Sequence, residues 1–255
     1  MREVAFKVHQ INPNWSESAK SLYIKHALRE SKIQQQLNHP NIVKLYDTVE
    51  IDQNSFCTVL EYCEGPDLSQ YLKKHKLIPE KEAKTIIYQT LVGLKYLNDF
   101  KPRVIHYDLK PQNIIFHHGE IKISDFGLCK LLENNETRCE LTSQGVGTYW
   151  YLPPETFIIS EQAPSISSKV DVWAIGVIFF EMLYGQKPFG HNMSQEKILK
   201  EQVILLNSFR VVFPEKPAIS KEAKEFITRC LAYHESDRYD VDQAFGCSYF
   251  KKKGT

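Results

Sequence analysis

The sequence predicts an α+β fold, a strand-bearing N-terminal part followed by a mainly helical C-terminal part, as one large domain or two lobes. Three observations carry this reading. Strand-like segments rich in Val, Ile, Leu and aromatics gather before residue 62, around one helical pattern. Periodicity then fails over Glu61-Tyr62-Cys63-Glu64-Gly65-Pro66, where Gly-Pro punctuation marks a hinge. Beyond it helical patterns dominate, among them an apolar stripe between Pro79 and Leu97 and the all-apolar run from Val170 to Leu183. The expected boundaries are a partial small lobe over 1–60, a hinge at 61–66, a large lobe over 67–250 and a basic tail at 251–255.

Composition narrows the function classes. At 255 residues and 42% hydrophobic, the chain can bury a substantial core. Its 32 basic and 31 acidic residues leave a net charge of +1, so no global field draws it to nucleic acid or a membrane. The six cysteines are scattered without a Cys-x-x-Cys pair, which argues against a structural zinc site and fits a reducing compartment. Val170 to Leu183 is broken by Asp171 and too short for a bilayer. With no signal peptide, a soluble intracellular protein is expected.

In chain order, Val4-Ala5-Phe6-Lys7 reads as a strand. Lys20 to Leu37 reads as an amphipathic helix of moderate regularity, carrying Glu30 and ending before Asn38-His39-Pro40. Glu17 sits before that pattern. Asn41 to Asp47 and Phe56 to Tyr62 read as strands. Pro79 suits the first turn of the next long helix, Glu80 and Glu82 its positive end, and Ala83, Ile86, Ile87, Leu91 and Leu94 its buried face. Ile114 to Phe116 and Ile121 to Ile123 are short strands joined near His117-His118-Gly119, a polar turn. Glu133 to Gln144, rich in Asn, Glu, Thr and Ser, reads as irregular, and Lys221 to Leu231 and Val241 to Tyr249 as outer helices.

The chemistry concentrates in His106-Tyr107-Asp108-Leu109-Lys110-Pro111-Gln112-Asn113, with Asp125-Phe126-Gly127 just downstream. One loop thus offers a base, a cation and a metal ligand, and a second Asp follows a short hairpin. Phosphoryl transfer needs such a set: a carboxylate for the hydroxyl proton, a cation near the moving phosphate, and oxygen ligands for magnesium.

From Lys7 to the last helix these residues resemble a eukaryotic protein kinase, which implies the bilobal protein-kinase fold, here with an incomplete N-terminal β lobe and a mainly helical C-terminal lobe, and ATP and Mg2+ as cofactors. The resemblance makes Asp108 the catalytic base, Lys110 the γ-phosphate contact, and Asn113 and Asp125 the metal ligands. Lys7 would hold the α and β phosphates, paired with Glu30. Glu61 and Cys63 would offer hinge backbone to adenine, Leu60 would guard the pocket behind it, and Ala5 and Ile115 would line it. Asp67 would either accept a bond from ribose or cap the helix Leu68 to Lys74, and both remain open. Glu155 would pair with Arg238, and Asp171 would hold the catalytic-loop backbone. Lys110, with Thr148 ahead of Pro153-Pro154-Glu155, resembles serine/threonine kinases.

Longer strings are similar to the Tousled-like kinases: His106-Tyr107-Asp108, Gly147-Thr148-Tyr149-Trp150-Tyr151-Leu152-Pro153-Pro154-Glu155, Leu141 to Gly145 and Lys187 to Asn192. That resemblance implies nuclear localisation and protein substrates that include histone chaperones of the anti-silencing-function type. Chromatin assembly, the cell cycle and chromosome segregation come with it, as does oligomerisation through a coiled-coil region not in this sequence. No direct nucleic-acid or membrane partner is expected.

The sequence departs from the family pattern in places. Tyr107 replaces an Arg that faces a loop phosphate in many kinases, so weaker dependence on one phosphosite is expected; Thr137, Thr142, Ser143 and Thr148 are candidates, Thr148 the most structural. The Gly-rich loop expected before Val4 is absent, with its two strands. The chain is therefore read as a piece of a longer kinase or a truncated homologue, and as either an active enzyme or a kinase-like scaffold. Gln34 falls where kinases place an apolar residue against Phe126; it either loosens the active arrangement or faces a wet pocket.

Overall fold

Val4–Gln10 (β1) opens a small sheet whose side chains sort strictly by parity. Ala5, Lys7 and His9 face inward, while Phe6 and Val8 are 65% and 56% exposed. The structure, a computed structural model, describes residues 3–12, 14–52, 55–133, 136–141, 146–159 and 163–251; the side chains of 19, 22 and 25–30 are also outside the description. After β1 comes a helix, Glu17–Gln36 (α1), then the antiparallel strands Leu45–Asp52 (β2) and Ser55–Glu61 (β3). The sheet order is β1-β3-β2, and its register sets Ala5 opposite Leu60 and Lys7 opposite Thr58.

Two expectations in this region are corrected. α1 starts at Glu17, whose carboxylate lies 2.8 Å from Lys20 Nζ in the positively polarised first turn. The strand expected from Asn41 begins only at Leu45. Asn41 and Val43 instead bond across to Ile123, with Val43 N–H donating at 2.9 Å and Ile123 N–H to Asn41 O at 2.8 Å. Those backbone groups are thus committed away from the small sheet.

The helical region begins at Leu68–His75 (α2), followed by Glu80–Asp99 (α3), with Pro79 at the N-cap and the expected apolar face buried. Short antiparallel pairs follow: Arg103–Ile105 (β4) with Lys130–Leu132 (β7), and Ile114–His117 (β5) with Glu120–Ile123 (β6). The β5–β6 turn uses His118 and Gly119 at φ of 49° and 81°, the left-handed pair a two-residue hairpin needs. Within the stretch expected to be irregular, Cys139–Glu140 (β8) pairs with Ser165–Ile166 (β9) and Leu141 is buried; residues 134–135 and 142–145 lie outside the described residues.

Lys169–Tyr184 (α4) is the centre of this region, buried on every side with Trp173, Phe179 and Phe180 at 1% exposure or less. Burying each such side chain contributes about 1.5–3 kcal/mol. Gly176 lets α4 approach Leu231, since a Cβ there would come within 2.8 Å of its side chain. Gln195–Lys200 (α5), Val203–Asn207 (α6), Lys221–Cys230 (α7) and Val241–Phe245 (α8) surround it. The last expected helix stops at Phe245, where Gly246 caps it, and a separate 3-10 turn covers Ser248–Phe250. Arg238, fully buried, meets Glu155 through two parallel bonds of 2.7 and 2.9 Å. No helix among the described residues is long and apolar enough to cross a membrane.

Candidate active site

The segment between β4 and β5 is held from below by Asp171. Its two carboxylate oxygens accept the His106 and Tyr107 N–H groups, each at 2.8 Å. Burial pushes the Asp171 carboxyl up, opposed by His106 and by these two backbone bonds; its place in the first turn of α4 adds a favourable dipole. His106 Nε2 sits 3.0 Å from Ser124 O, and its ring meets Phe126 edge-on at 5.0 Å. Tyr107 and Asp125 both adopt left-handed backbone, with φ of 68° and 62°. Such strain costs on the order of 1–3 kcal/mol per residue and persists where surrounding bonds over-determine it.

That scaffold presents Asp108 to three donors. Lys110 Nζ lies 2.5 Å from Oδ2, and the Thr148 hydroxyl donates to Oδ1 at 3.1 Å. Lys110 also donates to Thr148 Oγ1 at 3.1 Å, closing a ring of cation, hydroxyl and carboxylate. Asn113 Nδ2 donates to Asp108 O at 2.8 Å and to Oδ2 at 3.3 Å. A carboxylate so held is an acceptor aimed at one place.

Above it a cleft of about 370 Å³ runs between β1, the end of β3 and β5. Ala5, Lys7, Leu60, Glu61, Cys63, Ile115, Asn113 and Asp125, all expected from sequence, line it. Lys7 Nζ reaches Asp125 Oδ1 at 2.9 Å. Burial raises the Asp125 pKa, but the adjacent Lys7 charge and bond, with help from His106 and the Gly127 N–H, bring it below the usual carboxylate value. Burial and the Glu61 charge push the Cys63 thiol up to about 11, so it stays protonated.

Other expected residues stand differently. Glu30 lies on α1, and its side chain, with the expected Lys7 pair, falls outside the described residues. Asp67 takes the capping alternative, accepting Gln70 N–H at 2.8 Å, and is not among the cleft's lining residues. Glu61 binds Lys122 at 3.0 Å, fastening the end of β3 to β6. Sequence reasoning missed Val43, Tyr62 and Ser124 as cleft residues, although Tyr62 stands between Glu61 and Cys63 and Ser124 just before Asp125. Of the two readings of Gln34, facing the pocket agrees with its place: it lines the cleft, although it is buried and its amide donates to Val43 O at 3.0 Å.

The donor chemistry fits magnesium. Asn113 commits its Nδ2 to Asp108, which leaves its amide oxygen as the free acceptor, and Asn113 and Asp125 line the same cleft. Among the described residues no three His, Cys, Asp or Glu side chains cluster as a metal cage. One carboxylate and one amide oxygen, completed by phosphate and water, suit a hard octahedral ion.

A family model described as protein kinase domain matches residues 1–250. Over 250 residues the chain is 58% identical to the human serine/threonine-protein kinase tousled-like 2, covering 95% of this chain and 32% of the relative. Identity to the Arabidopsis thaliana serine/threonine-protein kinase TOUSLED is 53% over 244 residues, with 94% and 35% covered. A Caenorhabditis elegans serine/threonine-protein kinase, tousled-like 1, is 50% identical over 261 residues, with 99% and 27% covered. The chain spans about a third of the length of the curated vertebrate relatives it matches.

Proposed function

The chain belongs to the protein kinase family, and from that premise we propose that it transfers the γ-phosphate of ATP to serine or threonine hydroxyls of proteins. The observation that carries the proposal is Asp108, fixed by Lys110, Thr148 and Asn113, the last of which lines a cleft together with the Lys7–Asp125 pair. The division into a small lobe over 1–60, a hinge at 61–66 and a large lobe over 67–250 belongs to the same reading.

In this mechanism Asp108 orients the substrate hydroxyl and takes its proton, and Lys110 stands by to steady the phosphate being moved. Asn113 and Asp125 hold Mg2+, which when bound neutralises charge on the phosphate oxygens. Lys7, which pairs with Asp125 at 2.9 Å, would hold the α and β phosphates. Leu60, Ala5 and Ile115 sandwich the adenine, and the backbone of Glu61 and Cys63 reads its edge.

Identity of 50–58% to Tousled-like kinases supports a narrower reading. We infer a nuclear enzyme acting on histone chaperones of the anti-silencing-function type in chromatin assembly through the cell cycle.

The test pairs radiolabel transfer to such a chaperone with thermal stability in Mg-ATP. Asp108→Asn is expected to abolish transfer and keep the nucleotide-dependent stabilisation; Asp125→Asn is expected to lose both. Stabilisation without transfer in the unmodified chain would replace this proposal with a nucleotide-binding scaffold.

A further inference from the structure

A second hollow, of about 460 Å³, opens beside the catalytic loop, bounded by the C-terminal half of α2, Pro111-Gln112, Tyr151 and the end of α4. Its position follows from chain geometry. Pro111 and Gln112 continue directly from Lys110, and Tyr151 follows Thr148, the two residues that grip Asp108. The groove thus adjoins the two chain segments that hold Asp108.

The charge on the wall is one-sided. Lys73, Lys76 and Lys187 line the groove against a single carboxylate, Glu181. Glu181 is already spent: Oε2 accepts the Tyr151 hydroxyl at 2.6 Å and Oε1 accepts Lys187 Nζ at 3.0 Å. Lys187 is further held over the Trp150 and Tyr151 rings, at 5.3 and 5.9 Å. Lys73 and Lys76, both exposed, make no ion pair among the described residues. Surface lysines usually face water to no purpose, but here they rim a concavity whose only anion is neutralised within the fold.

We propose that this groove receives an acidic side chain of the protein substrate, a carboxylate or a phosphorylated residue, close in sequence to the phosphoacceptor. The proposal rests on the kinase reading and deepens it by assigning a substrate class. Lys73 in the last turn of α2 and Lys76 at its C-cap supply the attraction, while Lys187 screens Glu181 so that it does not repel the incoming anion.

The experiment uses fluorescent serine peptides in which Ala, Lys, Asp or phosphoserine is placed at each flanking position in turn, with binding read by anisotropy. At one position Asp or phosphoserine is expected to tighten binding roughly fivefold over Ala, with Lys weakening it, and added salt should erode the difference. A larger gain from phosphoserine assigns the ligand as a phosphate, a larger gain from Asp as a carboxylate. The double variant Lys73→Glu/Lys76→Glu, on an exposed surface, should cancel the preference while leaving Ala-peptide affinity and Mg-ATP stabilisation unchanged. The proposal is overturned if no position favours an acid, or if the preference survives the charge reversal. Because binding is read without turnover, peptide binding with no phosphate transfer would count against the kinase reading and leave the groove assignment standing.

Discussion

Arg138 grips Glu235 across 97 residues of chain, with Nη1 and Nη2 at 3.0 and 2.9 Å from its two oxygens. Arg138 also donates from Nε to the Ser165 hydroxyl at 3.0 Å, and Ser167 donates to Glu235 at 2.5 Å. These bonds flank the β8–β9 pair and tie the segment after Asp125-Phe126-Gly127 to the turn that holds Glu235. Tyr107, where a cation could have gripped a loop phosphate, is buried beneath Lys130 instead.

Arg138→Ala should therefore loosen that segment without any change in phosphorylation. Limited proteolysis between Glu133 and Val146 should quicken and phosphate transfer fall severalfold. Half of Arg138 is in water, so Tm should drop only by about 2–4 °C. Phosphatase treatment of the unmodified chain should cost less activity than this one substitution; the reverse ranking would refute the reading.

Asp171→Asn keeps the shape but replaces one acceptor oxygen with a donor facing a backbone N–H. One of the two 2.8 Å bonds to His106 and Tyr107 must be lost. An unsatisfied buried group costs about 1–3 kcal/mol. We expect kcat to fall at least tenfold with peptide KM little changed, because the residue orients the loop and does not touch substrate. A variant with unaltered kcat would contradict this.

Gln34→Leu should destabilise by roughly 1 kcal/mol in urea unfolding, because Val43 O loses its donor while the added apolar burial offsets part of the loss. Gln34 lines the cleft, so KM for ATP should shift as well. Unchanged stability would mean that the amide bond contributes nothing.

His9 gives a pH prediction. It is buried and stacked on Phe56 with centroids 4.5 Å apart, and burial, aided by Lys7 and opposed by Asp125, holds its pKa below the usual 6.5. The unfolded chain takes up the proton first as pH falls. The stabilisation is thus complete above 6.5 and is lost as pH drops through the lowered folded value. His9→Phe should flatten the decline in unfolding midpoint between about pH 7 and about pH 5. His39, lowered in the same way by burial and Lys122, will keep some slope.

The grouping of Asp108 with Lys110 and Asn113 was legible in sequence because it is local. Asp108, Lys110 and Asn113 share one loop, and Asp125 follows a hairpin whose turn the sequence itself signals. Boundaries were less legible. Asn41 and Val43 have strand-like side chains, yet their backbone bonds go to Ile123, and no local pattern reveals which partner a backbone group will choose. β8 escaped notice because two residues of pairing leave no periodicity to read.

What the sequence by itself determined is the chemistry available: which carboxylates, amides and cations stand at short, fixed separations, and which helices must be buried. Only the tertiary structure decided what each charge does. Glu181 is neutralised by Lys187 and Tyr151, Glu235 is bound to Arg138, Glu61 to Lys122, and Gln34 to Val43 O. The reason is physical. Local geometry follows from dihedral and spacing rules within a few residues, whereas pairing between distant polar groups depends on which of them burial brings together and leaves no alternative in water.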